Sequence, residues 1–180
     1  GRFVQTSDTK AIFADLDITA GGMTVNAGKV VEGEMLTVDM ADSGDVAIDN
    51  DGTVDFDNIQ LAQGTISGEG TLGASNTIFM VQENGIIDQA KIEGWTFAND
   101  GGSVTADQFI VHASGLNQGH GVITAADADF GDNFTQAVGS TINLSDSMTG
   151  NLASAGTINI AGDSGFTLTD GKLTNNGVLT

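Results

Sequence analysis

The sequence contains no cysteine and no proline among its 180 residues. Without cysteine the chain has no disulfide framework and no thiol chemistry. Without proline it has neither polyproline segments nor a proline-stiffened linker. Proline would also remove backbone donors from a sheet, whereas the 26 glycines supply the backbone conformations that tight turns need. Together these features favour a domain of many short strands joined by turns.

Basic residues are also scarce. Five Lys and Arg stand against 24 Asp and Glu, which gives a formal net charge of −19. Phosphate contacts require Lys or Arg, and an anionic membrane surface would repel such a chain. No apolar run approaches the length of about 18 residues that a membrane helix needs. We therefore expect no nucleic-acid partner and no membrane insertion, whereas the acidity favours solubility and the uptake of divalent cations.

Strong helix formers are few, and the dominant pattern is an alternation of apolar and polar residues. In residues 141–144 and 157–160 the apolar side chains share one face, and Phe166 and Leu168 continue this pattern. No change of composition marks a second domain. We therefore expect residues 1–180 to form a single all-β domain.

The alternation changes phase at polar pairs. Val54 and Phe56 share one face, and the pattern resumes one position late, at Ile59, after a polar pair. The same slip recurs 50 positions later, between residues 104–106 and 109–111. On a flat strand the slip would turn the second half to solvent. A corner at the polar pair returns it to the same interior, which indicates a strand that bends around a solenoid.

Aspartates recur with a period near 19. The intervals between Asp88, Asp107, Asp127, Asp146 and Asp163 are 19, 20, 19 and 17 residues. About this length is enough for one turn of three short strands, and repeated units of this kind indicate stacked architectures. We therefore predict a parallel β-helix (β-solenoid) of about nine coils near 19 residues each, and a rod about 45 Å long.

The turn signals leave one alternative open. Gly-Gly, Asp-Gly and Asn-Gly pairs occur throughout the chain, for example at residues 21–22, 51–52 and 84–85. In a solenoid they mark turns, but the same pairs close the hairpins of an antiparallel β-sandwich. The phase slips depend on the apolar residues alone, and they favour the solenoid.

The last part of the sequence carries a family resemblance. Residues 155–180 contain a Gly-Thr-Ile-Asn-Ile unit and a Thr-Asn-Asn-Gly unit. This tract resembles the passenger repeats of bacterial autotransporter and filamentous-haemagglutinin-like β-solenoid surface proteins, most clearly over residues 139–180. The resemblance is compositional. It implies a right-handed parallel β-helix outside the bacterial cell, used in adhesion, aggregation or matrix building, and it transfers no functional residues.

One acidic turn resembles a calcium loop in composition. Asp49, Asp51 and Asp55 place carboxylates at alternate positions around a glycine turn. The segment departs from the EF-hand loop, because its twelfth position is Asn58 rather than an acidic residue. A solvated acidic turn is the simpler interpretation, and a weak Ca²⁺ site at these three aspartates is the alternative. No cofactor is required.

Stacked coils raise a further electrostatic question. Two corner aspartates about 4.8 Å apart repel each other by roughly 0.9 kcal/mol in water, before screening. A ladder of them along one edge would therefore need cations between the carboxylates or a staggered arrangement. We predict that divalent cations raise the thermal stability of the protein.

The histidines and the tryptophan give weaker signals. Gly-His-Gly at residues 119–121 resembles an element of polygalacturonase-type hydrolases, but these also need a basic Arg-x-Lys element, and Arg2 is the single arginine. We therefore expect no enzyme and predict that His120 is a turn residue. His112 is predicted to be a lone outward-facing residue, and two histidines without cysteine do not indicate zinc. Trp95 is predicted to lie in the core or at a corner, with an exposed sugar-stacking platform as the alternative.

The two ends of the sequence lack cap-like segments. Residues 2–6 and 172–180 have strand and turn character, whereas solenoids need caps to cover open edges. The sequence also lacks an initial Met and a signal peptide. We therefore expect a slice of a longer rod, or a fibre subunit that completes its edges with those of another copy by β-augmentation.

These features favour an extracellular structural protein of the bacterial cell surface, which forms fibres or matrix by end-to-end β-stacking. Its principal partner would then be itself. The alternative is an adhesin module that recognises glycans or proteins of a host or neighbouring surface with one flank. A polysaccharide hydrolase is the least favoured hypothesis.

Overall fold

The computed structural model describes residues 1–75, 79–161 and 165–180. Over these ranges the chain forms strands and turns, and no helix is present that is long and apolar enough to cross a membrane. The strands are β1 (Arg2–Gln5), β2 (Ala11–Ile18), β3 (Gly22–Val25), β4 (Val30–Asp39), β5 (Val46–Asn50), β6 (Thr53–Ala74), β7 (Phe79–Asp100), β8 (Ser103–Gln118), β9 (Val122–Asp129), β10 (Asn133–Gln136), β11 (Thr141–Ser154), β12 (Thr157–Ile160), β13 (Thr167–Asn175) and β14 (Val178–Leu179).

The strands wind into one parallel β-helix with three faces. The first face begins with β1 and β3, the second with residues 11–13 and 30–33, and the third with residues 15–18 and 35–38. Every strand pairing is parallel in the part of the chain that the structure describes, apart from one isolated antiparallel bridge between Gln82 and Gly101. The β-solenoid prediction is confirmed, and the antiparallel β-sandwich is wrong.

The turns have unequal lengths. Registered partners on the first face are 16 residues apart at Thr141 and Thr157, and 25 apart at Met23 and Ile48, where residues 40–45 form an added loop. The chain makes eight to nine turns, which agrees with the predicted period near 19. Strand positions that follow one another on this face are Arg2, Gly22, Val46, Thr65, Ile86, Ser103, Val122, Thr141, Thr157 and Val178.

The phase slips mark corners of the solenoid, as predicted. Val54 and Phe56 point inward from the second face, and Ile59 points inward from the third, all at most 1% exposed. The segments 104–106 and 109–111 bend in the same way at another corner, between the first and second faces, and their apolar side chains Val104, Ala106, Phe109 and Val111 are buried. The polar residues between each pair of segments occupy the outside of the corner, so both halves reach the same core.

Aromatic rings fill the middle of the core. Phe109 packs edge-on against Phe97 at a centroid distance of 4.9 Å, and Phe130 and Phe134 lie 4.7 Å apart. Gly115 is registered with Phe134 on the next turn, and a Cβ at position 115 would lie 2.2 Å from that ring. The glycine is therefore required by the close approach of a phenylalanine.

Of the two arrangements considered for the corner aspartates, a ladder with cations between the carboxylates or a staggered arrangement, the described residues have the staggered one. Asp88 lies within a strand of the first face and is registered with Thr105, while Asp127 is registered with Gln108 and Ser147. Because the turns differ in length, equal spacing in sequence falls at different points of successive turns. The carboxylates are staggered, and Asp163 lies outside the described residues.

Amide side chains line one corner of the interior instead. Asn99, Asn117, Gln136 and Ser154 are registered on consecutive turns and are at most 2% exposed. Asn99 Nδ2 donates to Asn117 Oδ1 at 3.1 Å, and Ser154 Oγ donates to Gln136 Oε1 at 2.7 Å. Their remaining donors reach backbone carbonyls at the corner, for example that of Thr141. The ladder thus satisfies backbone groups that bend out of the sheet.

Candidate functional site

Trp95 lies on the outer surface of the solenoid. In β7 the side chain of Ile92 points inward, Glu93 and Trp95 point outward, and Trp95 is 54% exposed. Of the two positions predicted for Trp95, the core is wrong and the corner is correct, and the exposed side chain agrees with the alternative of an exposed platform. The register shifts between Gly94 and Thr96, where the chain turns the corner between the second and third faces, and Phe97 takes the next interior position.

His112 occupies the equivalent corner on the next turn, beside Trp95. The two ring centroids are 6.2 Å apart with an interplanar angle of 36°. His112 Nε2 lies 2.8 Å from Glu93 Oε1, and Lys91 Nζ lies 2.6 Å from Glu93 Oε2. The outward orientation predicted for His112 is confirmed, but the residue is not alone, because it joins Trp95 to a charged pair.

A groove opens on the second face next to this cluster. Gly73 is registered with Glu93, and a Cβ at position 73 would lie 3.0 Å from Asp55 Oδ1. The missing side chain leaves a groove of about 350 Å³ between the carboxylates of two turns. Its walls carry the polar side chains of Thr53, Asp55, Thr71, Ser75, Glu93 and His112.

The two carboxylates of the groove differ in their electrostatic environment. Burial raises the pKa of Asp55, and the neighbouring carboxylates of Glu32, Asp57 and Glu93 raise it further. Hydrogen bonds from Lys91 and then His112 lower the pKa of Glu93. Among the described side chains Asp55 forms no ion pair, whereas Glu93 has two. Asp55 is thus the carboxylate whose charge lacks a cationic partner.

The three aspartates of the predicted calcium turn lie on different parts of the solenoid. Asp49 is on the first face, Asp55 is on the second, and Asp51 lies between them with Oδ1 accepting a hydrogen bond from the backbone N–H of Glu69. Over the described ranges, no group of three His, Cys, Asp or Glu side chains is arranged to hold a metal ion. The calcium site remains a prediction, and the structure places Asp55 in the groove.

His120 follows β8 in a turn and has a backbone φ of 68°. The prediction of a turn residue is confirmed. His112 lies at another corner, within the cluster with Trp95 and Glu93, so the two histidines belong to separate sites.

Apolar side chains that face the interior are exposed at both terminal turns. Phe3 is registered with the buried Met23 but is 41% exposed, because its other side is uncovered. Leu168 and Leu179 are registered with buried residues in the same way and are 46% and 52% exposed. At the first turn a cavity of about 210 Å³ opens next to Phe3 and Phe13. The interior is therefore open at both described ends.

The geometry defines a parallel β-solenoid with open terminal turns and an aromatic, acidic groove on one flank. No protein-family model matches this chain, and no curated protein and no solved structure matches it either.

Proposed function

We propose that this chain is a structural, non-catalytic module of an extracellular bacterial surface protein, and that it builds fibres or matrix by end-to-end stacking. The observation that supports this function most directly is the exposure of interior-facing Phe3, Leu168 and Leu179 at the terminal turns. The resemblance of residues 155–180 to bacterial surface solenoids points in the same direction.

The terminal strands offer edges for such stacking. Within the described residues, β1 pairs only with β3 and β2 only with β4 at one end, and β13 pairs only with β11 and β14 only with β12 at the other. Unpaired strand edges are templates for a strand of another chain. In this proposal the last turn of one copy continues the parallel register of the first turn of the next. A head-to-tail contact of this kind propagates into an open filament.

Charge and shape direct the association to the ends. The net charge of −19 disfavours side-by-side contact of two flanks. At the ends, the exposed leucines of the last turn complement the cavity beside Phe3. Full burial of a Leu or Phe side chain contributes about 1.5–3 kcal/mol, whereas association costs about 4–15 kcal/mol. The burial of three side chains that are already half-buried does not offset the cost of association. The backbone hydrogen bonds of three added strands must supply the remaining free energy. Assembly should therefore depend on protein concentration.

Sedimentation velocity and negative-stain electron microscopy test this function. We expect the purified chain to form longer particles as its concentration rises. The double substitution Leu168→Lys and Leu179→Lys should keep it monomeric, because it places charges in the end contact. Val138→Lys is the matched control, since Val138 is 80% exposed in a loop on the flank. Circular dichroism confirms that each variant is folded. A wild-type chain that stays monomeric without filaments at high concentration refutes end-to-end stacking.

A second candidate function is adhesion through the flank, and the exposed Trp95 favours it. A solvent-exposed tryptophan that lies against His112, a residue of the groove, is suited to recognise a glycan or protein of a host or neighbouring surface. Binding of surface glycans that is lost in Trp95→Ala and retained in Val138→Lys would support this function. The two functions use different parts of the molecule and are compatible.

A further inference from the structure

We propose that the groove beside Trp95 binds a saccharide that carries a primary amine, such as an unacetylated hexosamine unit. The proposal rests on the second candidate function, adhesion through the flank, and specifies its ligand. Three features of the groove support it: an aromatic surface at the rim, hydroxyl groups on the walls, and a carboxylate without a cationic partner.

The aromatic surface is held in place before any ligand binds. Trp95 lies against the ring of His112, and His112 is fixed in turn by its contact with Glu93. A side chain that is already restrained loses little conformational freedom on binding. The exposed part of the indole offers an apolar surface for the C–H face of a sugar ring, and its N–H is a hydrogen-bond donor.

The groove provides hydrogen-bonding groups of the kind that sugar hydroxyls need. The hydroxyls of Thr53 and Thr71 lie along it, and each can donate and accept, whereas the hydroxyl of Ser75 already donates to Asp57 Oδ1 at 2.9 Å and can accept. Its volume of about 350 Å³ falls in the lower part of the range of about 300–1,000 Å³ that is usual for small-ligand sites. Its size and its hydroxyl groups are suited to a short segment of a saccharide, which presents both hydroxyls and apolar C–H faces.

The charge of the groove determines the sign of the ligand's charge. Asp55 is half-buried and lies near the carboxylates of Glu32 and Asp57, whereas Glu93 is already paired with Lys91 and His112. An ammonium group beside Asp55 would relieve this repulsion and form a charge-assisted hydrogen bond. A uronate, sialic acid or sulfated sugar would add to the repulsion. An amine-bearing saccharide is therefore favoured over an acidic one.

An ammonium group also suits this groove better than a calcium ion. Calcium takes six to eight oxygen ligands that converge on one point. In the described part of the chain no three His, Cys, Asp or Glu side chains are grouped to hold a metal ion, and Asp55 lies on a different face from Asp49. A single carboxylate with hydroxyl neighbours is enough for an ammonium group, which has three donors.

Fluorescence provides a reporter of this site, because Trp95 is the only tryptophan in the chain. The probes are tetramers of β-1,4-linked glucosamine, of its N-acetylated form and of galacturonate. We expect the glucosamine tetramer to change the Trp95 emission and to lose affinity with added NaCl, and the other two to have little effect. Asp55→Asn should weaken binding at least tenfold. Asp88→Asn makes the same charge change on the first face, and should leave binding unchanged.

Calorimetry with Trp95→Ala separates this site from non-specific attraction between a polycation and an acidic protein. The substitution keeps the net charge, so a loss of at least tenfold in affinity indicates binding at the groove. If the N-acetylated tetramer binds equally well and Asp55→Asn has no effect, the amine proposal is wrong while adhesion through the flank stands. If glucosamine binding is unchanged in Trp95→Ala, or no tetramer binds, the groove is not the proposed saccharide site.

Discussion

At the scale of single residues, Asp55 combines a cost in stability with a role in the proposed binding. Its pKa is raised by burial and by nearby carboxylates, so the folded state holds its proton more strongly than the unfolded chain does. A raised carboxyl pKa means that stability falls as the pH rises through the region above the ordinary value of about 3.8. Such a cost is typical of a side chain retained for function.

We therefore predict that Asp55→Asn raises the melting temperature at pH 7. At pH 3, where the carboxyl group is largely protonated in both states, the same substitution should have little effect. Thermal unfolding followed by circular dichroism at the two pH values measures this difference. A lower melting temperature for Asp55→Asn at pH 7 would contradict this prediction, because it would mean that the charged carboxylate of Asp55 stabilises the folded state.

Glu93 is the matched control for Asp55, because its pKa is lowered whereas that of Asp55 is raised. The bonds from Lys91 and His112 lower its pKa, so its contribution to stability is present above the ordinary value of about 4.5 and is lost as the pH falls through the lowered one. Glu93→Gln should therefore lower the melting temperature at pH 7 and have less effect at pH 3.

The interior amide ladder gives a second prediction at this scale. Asn117 accepts a hydrogen bond from Asn99 and donates one to the carbonyl of Thr141. Asn117→Ala leaves buried polar groups without these partners, and each such loss costs about 1–3 kcal/mol. We expect the free energy of unfolding in urea to fall by at least that amount. Asn84→Ala, at an exposed position, should change it by less than about 0.5 kcal/mol.

Trp95 and Asn117 show where residue-level inference from the sequence stopped. A lone tryptophan in a β-rich segment is predicted to lie in the core or at a corner because large aromatic residues are usually buried. The interior position went to Phe97, two residues later, and the sequence gives no sign of which of the two residues lies at the corner. The ladder was missed because a buried asparagine is recognisable only when its neighbours on the adjacent turns are known. These neighbours are about 18 or more residues away in sequence.

At the scale of the elements, one glycine fixes how closely two adjacent turns pack. Gly115 lies against the ring of Phe134, so Gly115→Ala forces the phenylalanine cluster to shift. Overpacking of this kind costs typically about 1–3 kcal/mol, and we expect a loss of that size in urea unfolding. Gly44→Ala is the control, because its added Cβ has only an ordinary contact, 3.6 Å from Asp42 Oδ1. Equal stability of the two variants would contradict the packing argument.

The strands themselves were the most predictable feature. The phase slips at residues 54–61 and 104–111 located corners correctly, because burial constrains the direction of every second side chain. The aspartate spacing gave the right average turn length but the wrong neighbours. A corner tolerates extra residues, as in the loop at residues 40–45, where Met40 joins the core and residues 41–45 lie outside it. The distance in sequence between stacked positions therefore varies while the interior is maintained.

At the scale of the whole molecule, the net charge of −19 opposes the compact state. Screening at higher ionic strength weakens repulsion between exposed carboxylates. We therefore predict that raising NaCl from about 10 to about 300 mM, concentrations at which the screening length falls from roughly 30 Å to below 10 Å, increases the melting temperature. A melting temperature that is constant over this range would show that the staggered carboxylates repel each other too weakly to matter.

Calcium at matched ionic strength separates screening from specific binding. If Asp49, Asp51 and Asp55 form the predicted calcium site, millimolar CaCl₂ should raise the melting temperature beyond the effect of NaCl, and EDTA should reverse this. Asp51→Asn should then remove the additional increase. If the two salts raise the melting temperature equally, the effect of calcium is explained by screening alone and not by specific binding.

The pairing of each turn with only the turns before and after it also determines how the rod would respond to a pulling force. Tension on the two ends would detach the outermost turn first, while the turns behind it keep their contacts. Because successive turns contain 16 to 25 residues, each event would release roughly 50–90 Å of extended chain, at about 3.3–3.6 Å per residue. A fibre of such rods would lengthen stepwise under flow and dissipate mechanical work before it ruptured.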